Sequence, residues 1–189
     1  RLAAGEIPRL EALKLHNGTV YRWNRPCYGI CEGSPHLRIE CRALPAGPTV
    51  LDEVANAAFW IGLILGARDE LGDITERLNF DDAKYNFLAA SRHGLDAGFH
   101  WIDGRQVSAP DLICETLLPL AESVLAGRID SAEAEKYLGV IRRRVECRGT
   151  GSDWMIRSLN EMDDRGTRSE RMAALTASMI RKELEGNPC

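Results

Sequence analysis

The sequence predicts an α+β fold, in which a small antiparallel sheet packs with a mostly helical C-terminal layer. Two runs of alternating residues between positions 19 and 42 predict the strands. Capping motifs ahead of apolar residues at helical spacing predict the helices. The chain has 189 residues, 44% of them hydrophobic and 28% charged, which is ordinary for a globular protein and sufficient for a core.

The clearest strand pattern covers residues 37–42, Leu-Arg-Ile-Glu-Cys-Arg. Side chains alternate along a strand, so the apolar and charged residues lie on opposite faces. The apolar face holds Leu37, Ile39 and Cys41, and the charged face holds Arg38, Glu40 and Arg42. Charged side chains about 6.6 Å apart suit a polyphosphate with a divalent cation. Alternating charges on an edge strand also occur for solubility alone, so both interpretations stay open.

A second arginine-rich run lies just upstream, at residues 21–26, and contains Arg22 and Arg25. The Pro- and Gly-rich segment 26–35 joins the two runs, which predicts an antiparallel pair with a long hairpin loop. Arg22 and Arg25 then converge with Arg38, Glu40 and Arg42 near one sheet surface. The net charge of the chain is −4, so this cluster does not follow from a basic composition.

A buried helix is predicted next, with Thr49 as its cap and Asp52 as the capping partner. Apolar residues occupy both sides of this helix, so we expect it to be covered on most sides. The residues predicted to face inward are Leu51, Val54, Ala58, Ile61 and Leu65. We expect this helix to pack on the apolar face of the sheet and to leave the charged face open.

The second half is predicted to be mostly helical. A short helix is expected within 69–78, a longer one from Asp81 or Asp82 to Gly94, and a tight hairpin over 99–107. Further helices begin at residues 108, 131 and 167, and Pro119 should distort the first of them. The last two should bury Ala134, Leu138, Ile141 and Val145, and Met172, Leu175 and Met179. The segment 149–151, Gly-Thr-Gly, is interpreted as an interhelical loop, with anion binding as the alternative.

Composition excludes several other classes. A net charge of −4 argues against a nucleic-acid binder. The uncharged stretch Val54–Ala67 is too short to span a bilayer, so no membrane partner is expected. No signal peptide is recognisable, and six cysteines without a common zinc spacing indicate free thiols in a reducing cytoplasm. A zinc site at Cys27, Cys31 and Cys41 with His36 is the less favoured interpretation.

The segment 38–42, Arg-Ile-Glu-Cys-Arg, resembles the R-I-E-x-R strand of the glutamine synthetase superfamily. With the strings HNGTVYRWNRP at 16–26, PHLRIE at 35–40 and LPAGPT at 44–49, it is similar to bacterial glutamate–cysteine ligase-like (carboxylate–amine ligase) proteins. The specific part covers about the first 65 residues. The resemblance implies that residues 1–66 are the C-terminal part of a glutamine synthetase-like catalytic domain and that 67–189 form a helical region with one short hairpin.

The resemblance also implies a chemistry. ATP phosphorylates the γ-carboxylate of glutamate, and an amine, with cysteine favoured, displaces the phosphate to form an amide. Glu40 is implied as the ligand of Mg²⁺ or Mn²⁺. Arg42 and Arg38 are the implied catalytic residues, with Arg42 on the transferred phosphate or substrate carboxylate and Arg38 on nucleotide or phosphate. Arg22 and Arg25 match upstream arginines that approach phosphate.

In that family, the other metal-binding acids and much of the nucleotide pocket lie upstream of this strand, and nothing before residue 16 supplies them. We therefore expect the chain to be the C-terminal portion of a longer polypeptide, with little ligase activity until the remainder is added. The exposed edge of such a sheet predicts self-association into a homo-oligomer. The alternative is a non-catalytic helical interaction or regulatory module whose arginine face binds an anionic ligand.

Overall fold

The computed structural model describes residues 4–19, 24–44, 47–162 and 166–188. Contacts divide the chain into two compact units, Arg1–Pro45 and Ala46–Cys189. The first unit contains a helix and a two-stranded sheet, and the second contains helices and one short hairpin, so the predicted α+β class with small antiparallel sheets is confirmed. The division falls before the helix at 50–66, whereas the predicted boundary of the first domain lies after that helix, at residue 66.

The first unit is built from three elements. These are helix α1, Glu11–Thr19, and strands β1, Asn24–Cys31, and β2, Ser34–Cys41. The two strands pair antiparallel along their whole length. Tyr28 of β1 donates its hydroxyl to the carbonyl oxygen of Pro8, and the ammonium of Lys14 lies 5.6 Å from the centre of the Tyr28 ring, so α1 and the segment before it pack against β1.

The turn between β1 and β2 is only two residues long. Cys31 pairs with Ser34, which leaves Glu32 and Gly33 at the turn, with φ values of 50° and 80°. Two positive φ values characterise the tight turn whose twist matches that of the flanking strands, and glycine adopts them without strain. The long loop predicted over 26–35 is therefore wrong, because the strands continue through that segment to the turn.

The first unit itself covers little of the apolar face of the hairpin. Leu37 and Ile39 retain 69% and 63% of their surface exposed. The alternation of apolar and charged residues in β2 is correct, but a two-stranded sheet offers little surface on which large side chains can pack.

The second unit contains seven α-helices and a hairpin among its described residues. The helices are α2, Val50–Gly66; α3, Phe80–His93; α4, Ala109–Leu112; α5, Leu118–Leu125; α6, Ser131–Glu146; α7, Gly151–Asn160; and α8, Arg168–Glu185. Strands β3, Gly98–His100, and β4, Gln106–Ser108, pair antiparallel. The main core lies where α2, α5 and α6 meet, and it includes Ala55, Leu118, Leu125, Leu138 and Val140.

Helix α2 begins as predicted and packs through small residues. The Thr49 hydroxyl oxygen accepts from the backbone N–H of Asp52 at 3.1 Å. Gly62 and Gly66 are buried one turn apart. A Cβ atom at Gly62 would lie 2.7 Å from the Cβ and 2.9 Å from the Cα of Ala121 in α5, so the two helices approach too closely for a larger side chain. Within the second unit, α5 and α6 supply the packing surface of α2, and the expectation that the sheet packs on this helix stays a prediction.

The predicted inward face of α2 is correct only in part. Leu51 and Ala58 pack against the core, whereas Val54, Ile61 and Leu65 are exposed. Residues on every side of this helix are apolar, so its periodicity does not identify the buried side. The segment Val50–Leu71 is long and apolar enough to cross a membrane by length and composition, and 28% of its most apolar window is buried. A core helix passes the same test, and the expected absence of a membrane partner stays a prediction.

The other helices follow their capping signals closely. The helix predicted from residue 108 begins there and is interrupted by a π-helical turn, Ile113–Leu117, which ends two residues before Pro119. The predicted buried face of α6 is confirmed, whereas Met172 in α8 is exposed and its predicted burial is wrong. The segment 69–78 forms a π turn, Ala67–Leu71, and a 3₁₀ turn, Ile74–Glu76, instead of one short helix.

Candidate functional site

Strand register assembles most of the predicted site on one face of the β1–β2 hairpin. Arg25 lies opposite Glu40, Cys27 opposite Arg38, and Gly29 opposite His36. Opposed residues and alternate residues share a face of a sheet. The arginine face is therefore formed by Arg25, Cys27, Gly29, His36, Arg38 and Glu40, with Arg42 just beyond the end of β2.

Glu40 is held between two guanidiniums. Arg25 Nε donates to Glu40 Oε2 at 2.8 Å, and Arg25 Nη2 also contacts that oxygen. Arg42 Nε donates to Glu40 Oε1 at 2.8 Å. The side chains of Arg25, Glu40 and Arg42 are 30%, 38% and 20% exposed, so the cluster is half-buried and open to solvent on one side.

These ion pairs fix the charge of Glu40. The hydrogen bond from Arg42, followed by that from Arg25, lowers the pKa of the Glu40 carboxyl below its ordinary value. The hydrogen bond between Arg25 and Glu40 is also the main cause of the raised pKa of Arg25. The cluster is therefore one carboxylate between two guanidiniums at neutral pH, with net positive charge.

Arg38 lies next on the same face and is held by a histidine. Arg38 Nη1 lies 3.1 Å from His36 Nε2. A guanidinium only donates, so His36 Nε2 accepts and its ring proton is assigned to Nδ1. A Cβ atom at Gly29 would lie 2.7 Å from His36 Nε2 and 2.9 Å from Arg38 Nη1, so a larger residue there would displace the ends of these two side chains. Within the described residues, no carboxylate forms an ion pair with Arg38.

The structure thus brings together Arg25, Arg38, Glu40 and Arg42 of the predicted set, while Arg22 lies outside the described residues. His36 and Gly29 were missed as site residues. The period of two that links Glu40 to Arg38 also reaches His36, so His36 was available from the sequence. Gly29 can be assigned to this face only from the strand register, and the loop wrongly predicted over 26–35 left that register undefined.

A divalent cation does not fit Glu40 as these side chains are arranged. Both carboxylate oxygens already accept from guanidiniums, and two adjacent positive charges repel a cation. In the described part of the chain, no group of three or more His, Cys, Asp or Glu side chains is placed to hold a metal ion. Cys27 and Cys41 lie on opposite faces of the hairpin, which also argues against the zinc interpretation. The Mg²⁺ or Mn²⁺ role of Glu40 stays a prediction.

The strongest polar contacts of the second unit connect its helices and stabilise their ends. Asp52 is fully buried and accepts from Arg144 Nη2 at 2.9 Å, while Arg144 Nη1 donates to Asn56 Oδ1 at 2.7 Å. This pair fastens α6 to the start of α2. In the 149–151 loop, the Thr150 backbone N–H donates to Asp153 at 3.0 Å in a capping box, so an internal carboxylate already occupies the start of α7. The interhelical-loop interpretation of that segment is favoured.

In the second unit, a histidine of the short hairpin also pairs with an aspartate of α3. His100 Nδ1 lies 2.7 Å from Asp82 Oδ1, and the His100 ring stacks on Tyr85 with centroids 4.4 Å apart. The Asn86 side chain bonds both the N–H and the carbonyl oxygen of His100. These contacts hold β3 against α3.

Comparisons with known proteins add no assignment. No family model, no curated protein and no solved structure matches this chain.

Proposed function

We propose that this chain is part of an ATP-dependent carboxylate–amine ligase, of the glutamate–cysteine ligase-like kind, and that its arginine face contacts anionic groups of the reactants. The observation that carries the proposal is the convergence of Arg25 and Arg42 on one carboxylate, with Arg38 on the same face. The R-I-E-x-R resemblance supports the ligase assignment, because this cluster is formed by the residues that carry it.

The proposed reaction requires positive charge more than it requires a protein nucleophile. The γ-carboxylate of glutamate attacks the terminal phosphorus of ATP, ADP leaves, and the resulting acyl phosphate is attacked by an amine with loss of inorganic phosphate. Negative charge on the phosphoryl oxygens must be held in place during both steps. Guanidiniums suit this task, because they stay protonated and present planar pairs of N–H donors.

The role of the chain is then to supply one wall of the site. ATP, glutamate and the amine, with cysteine favoured, are the proposed reactants, and the remainder of a longer polypeptide is the proposed partner. The cytoplasm is the proposed compartment, and homo-oligomerisation through the hairpin edge remains a proposal.

The test combines binding with reconstitution. ATP is titrated calorimetrically into the chain, with an Arg42→Ala variant and an Arg92→Ala control that removes an exposed arginine on α3. The proposal expects binding that Arg42→Ala abolishes and Arg92→Ala preserves. It also expects glutamate-dependent release of phosphate from ATP when the proposed remainder of the polypeptide is added. Equal binding by both variants, or no phosphate release in the reconstituted mixture, would contradict it.

A second candidate is a non-catalytic module that binds an anionic ligand through the same face. It is favoured by one observation: both Glu40 carboxylate oxygens already accept hydrogen bonds from arginines. This module would bind ATP and inorganic phosphate alike and would show no turnover of ATP after reconstitution. The ligase proposal expects glutamate-dependent turnover, so the reconstituted mixture separates the two.

A further inference from the structure

The side of α2 that points away from the core is apolar along its length. Its other side packs on α5 and α6. The outer residues recur at alternating spacings of four and three, and we call them the outer seam: Val50, Val54, Ala57, Ile61 and Ile64. Ala57 is half-buried, and the other four are between 37% and 59% exposed. So long an exposed apolar row indicates an interaction surface.

The spacing of the outer seam fits a second helix better than it fits a sheet. From Val50 to Ile64 the seam extends for about 21 Å, at a rise of 1.5 Å per residue. Alternating spacings of three and four keep such a row against one partner helix over that length. The exposed apolar side chains of the hairpin, Ile30, Leu37 and Ile39, lie within about 13 Å of strand, so they would cover only part of the seam.

The two ends of the outer seam have opposite charge. Glu53 is exposed near its beginning, and the backbone N–H of Val50 donates to Glu183 Oε2 at 2.8 Å, so two carboxylates lie there. Arg68 is exposed one further step of four residues beyond the seam, and the acidic residues at 69–70 come next around the turn, away from the seam. A partner that offers a cation at one end and a carboxylate at the other is therefore complementary to this surface.

We propose that the outer seam binds the outer seam of a second copy of this chain, with the two α2 helices antiparallel about a twofold axis. This arrangement sets Ala57 against Ile61 of the second copy, a small residue against a large one, and sets Arg68 beside Glu53 of the second copy. A parallel pair would instead place the two Glu53 side chains together. The interface belongs to the second unit and does not depend on what the arginine face binds.

The test is sedimentation equilibrium of the full chain over a hundredfold range of concentration, with a reductant that keeps the thiols free. The wild-type mass should rise with concentration from 21.0 kDa toward twice that value. Ile61→Glu should stay at the monomer mass throughout, because it places a carboxylate at the centre of the interface. Ile180→Glu is the matched control on α8, since Ile180 is 56% exposed and Ile61 is 50% exposed, and it should associate as the wild type does.

Charge reversal tests the antiparallel direction. Glu53→Arg and Arg68→Glu should each raise the dissociation constant by about tenfold, because twofold symmetry converts two exposed ion pairs into like-charge contacts. The double variant Glu53→Arg/Arg68→Glu should recover most of the wild-type association, because it restores opposite charges in both pairs. Failure of the double variant to recover would overturn the antiparallel arrangement.

The other outcomes concern what covers the outer seam. A wild-type chain that stays monomeric at every concentration would overturn the proposal, and the hairpin of the same chain would then be the occupant to examine. Association that survives Ile61→Glu, or that Ile180→Glu abolishes to the same degree, would place the contact elsewhere and would also overturn it. If circular dichroism shows that Ile61→Glu does not fold, the two charge reversals test the same interface at exposed positions.

Discussion

The close approach of α2 and α5 makes a specific prediction for Gly62→Ala. A new Cβ would lie 2.7 Å from the Cβ and 2.9 Å from the Cα of Ala121. These atoms belong to or adjoin the backbone of α5, so a rotamer change cannot relieve the overlap and the helices must separate. Gly139 in α6 offers the matched control, because a Cβ there meets only the end of the Arg143 side chain, at 3.4 Å.

The two substitutions should differ in their effect on stability. Replacing glycine by alanine inside a helix favours folding by about 1 kcal/mol, which is the full effect expected for Gly139→Ala. Overpacking a close contact costs about 1–3 kcal/mol, which offsets or exceeds that gain at Gly62. Gly62→Ala should therefore be less stable than Gly139→Ala by about 1–3 kcal/mol.

Urea unfolding followed by far-ultraviolet circular dichroism measures this difference, since most of the helical signal comes from the second unit. Equal slopes of the transitions would show that the same unfolding is compared. The difference should also appear as a separation of melting temperatures of about 2–12 °C, from about 2–4 °C per kcal/mol in a chain of this size. If Gly62→Ala is as stable as Gly139→Ala, the close approach is not a constraint and the reasoning is refuted.

Three further predictions concern charged and thiol groups. Asp52→Asn leaves the buried Arg144 charge uncompensated and should lower the unfolding free energy by about 3 kcal/mol in a thermal melt, whereas a loss under about 1 kcal/mol would contradict the ion pair's role. The folded-state pKa of Glu40 is lowered from an ordinary value of 4.5. The stabilisation that Glu40 contributes is therefore complete above pH 4.5 and is lost as the pH falls through the folded-state pKa. The amide resonances of the hairpin should show this loss in the wild type, and they should not show it in Glu40→Gln. Burial raises the pKa of the Cys114 thiol, so alkylation at pH 8 should be slower at Cys114 than at the exposed Cys147. Peptide mass mapping can measure both rates, and equal rates would contradict this prediction.

Local signals predicted the local structure well. Thr49 and Thr167 each cap a helix with an acidic residue three positions later, because the capping interaction is contained within four residues. The charged face of β2 also followed from sequence, because the alternation of Arg38 and Glu40 depends only on strand geometry.

The predictions that were wrong or incomplete depend on residues that are distant in the sequence. Periodicity could not identify the buried side of α2, since only the position of Ala121 in α5 shows why Gly62 faces inward. The pairing of Glu40 with Arg25 needed the register, and the register needed the turn at Glu32–Gly33 to be located. The sequence alone could not show that both carboxylate oxygens of Glu40 accept hydrogen bonds from arginines, which bears on its implied role as a metal ligand.

The two-residue turn has a consequence for how this hairpin tolerates insertions and deletions. Because side chains alternate strictly along each strand, loss or gain of one residue at Glu32–Gly33 would shift the pairing by one and turn the side chains of one strand to the opposite face. Arg25 would then no longer share a side with Glu40, although every arginine would still be present. The parity of the loop length, and not the composition of the strands, therefore decides whether the charged cluster exists.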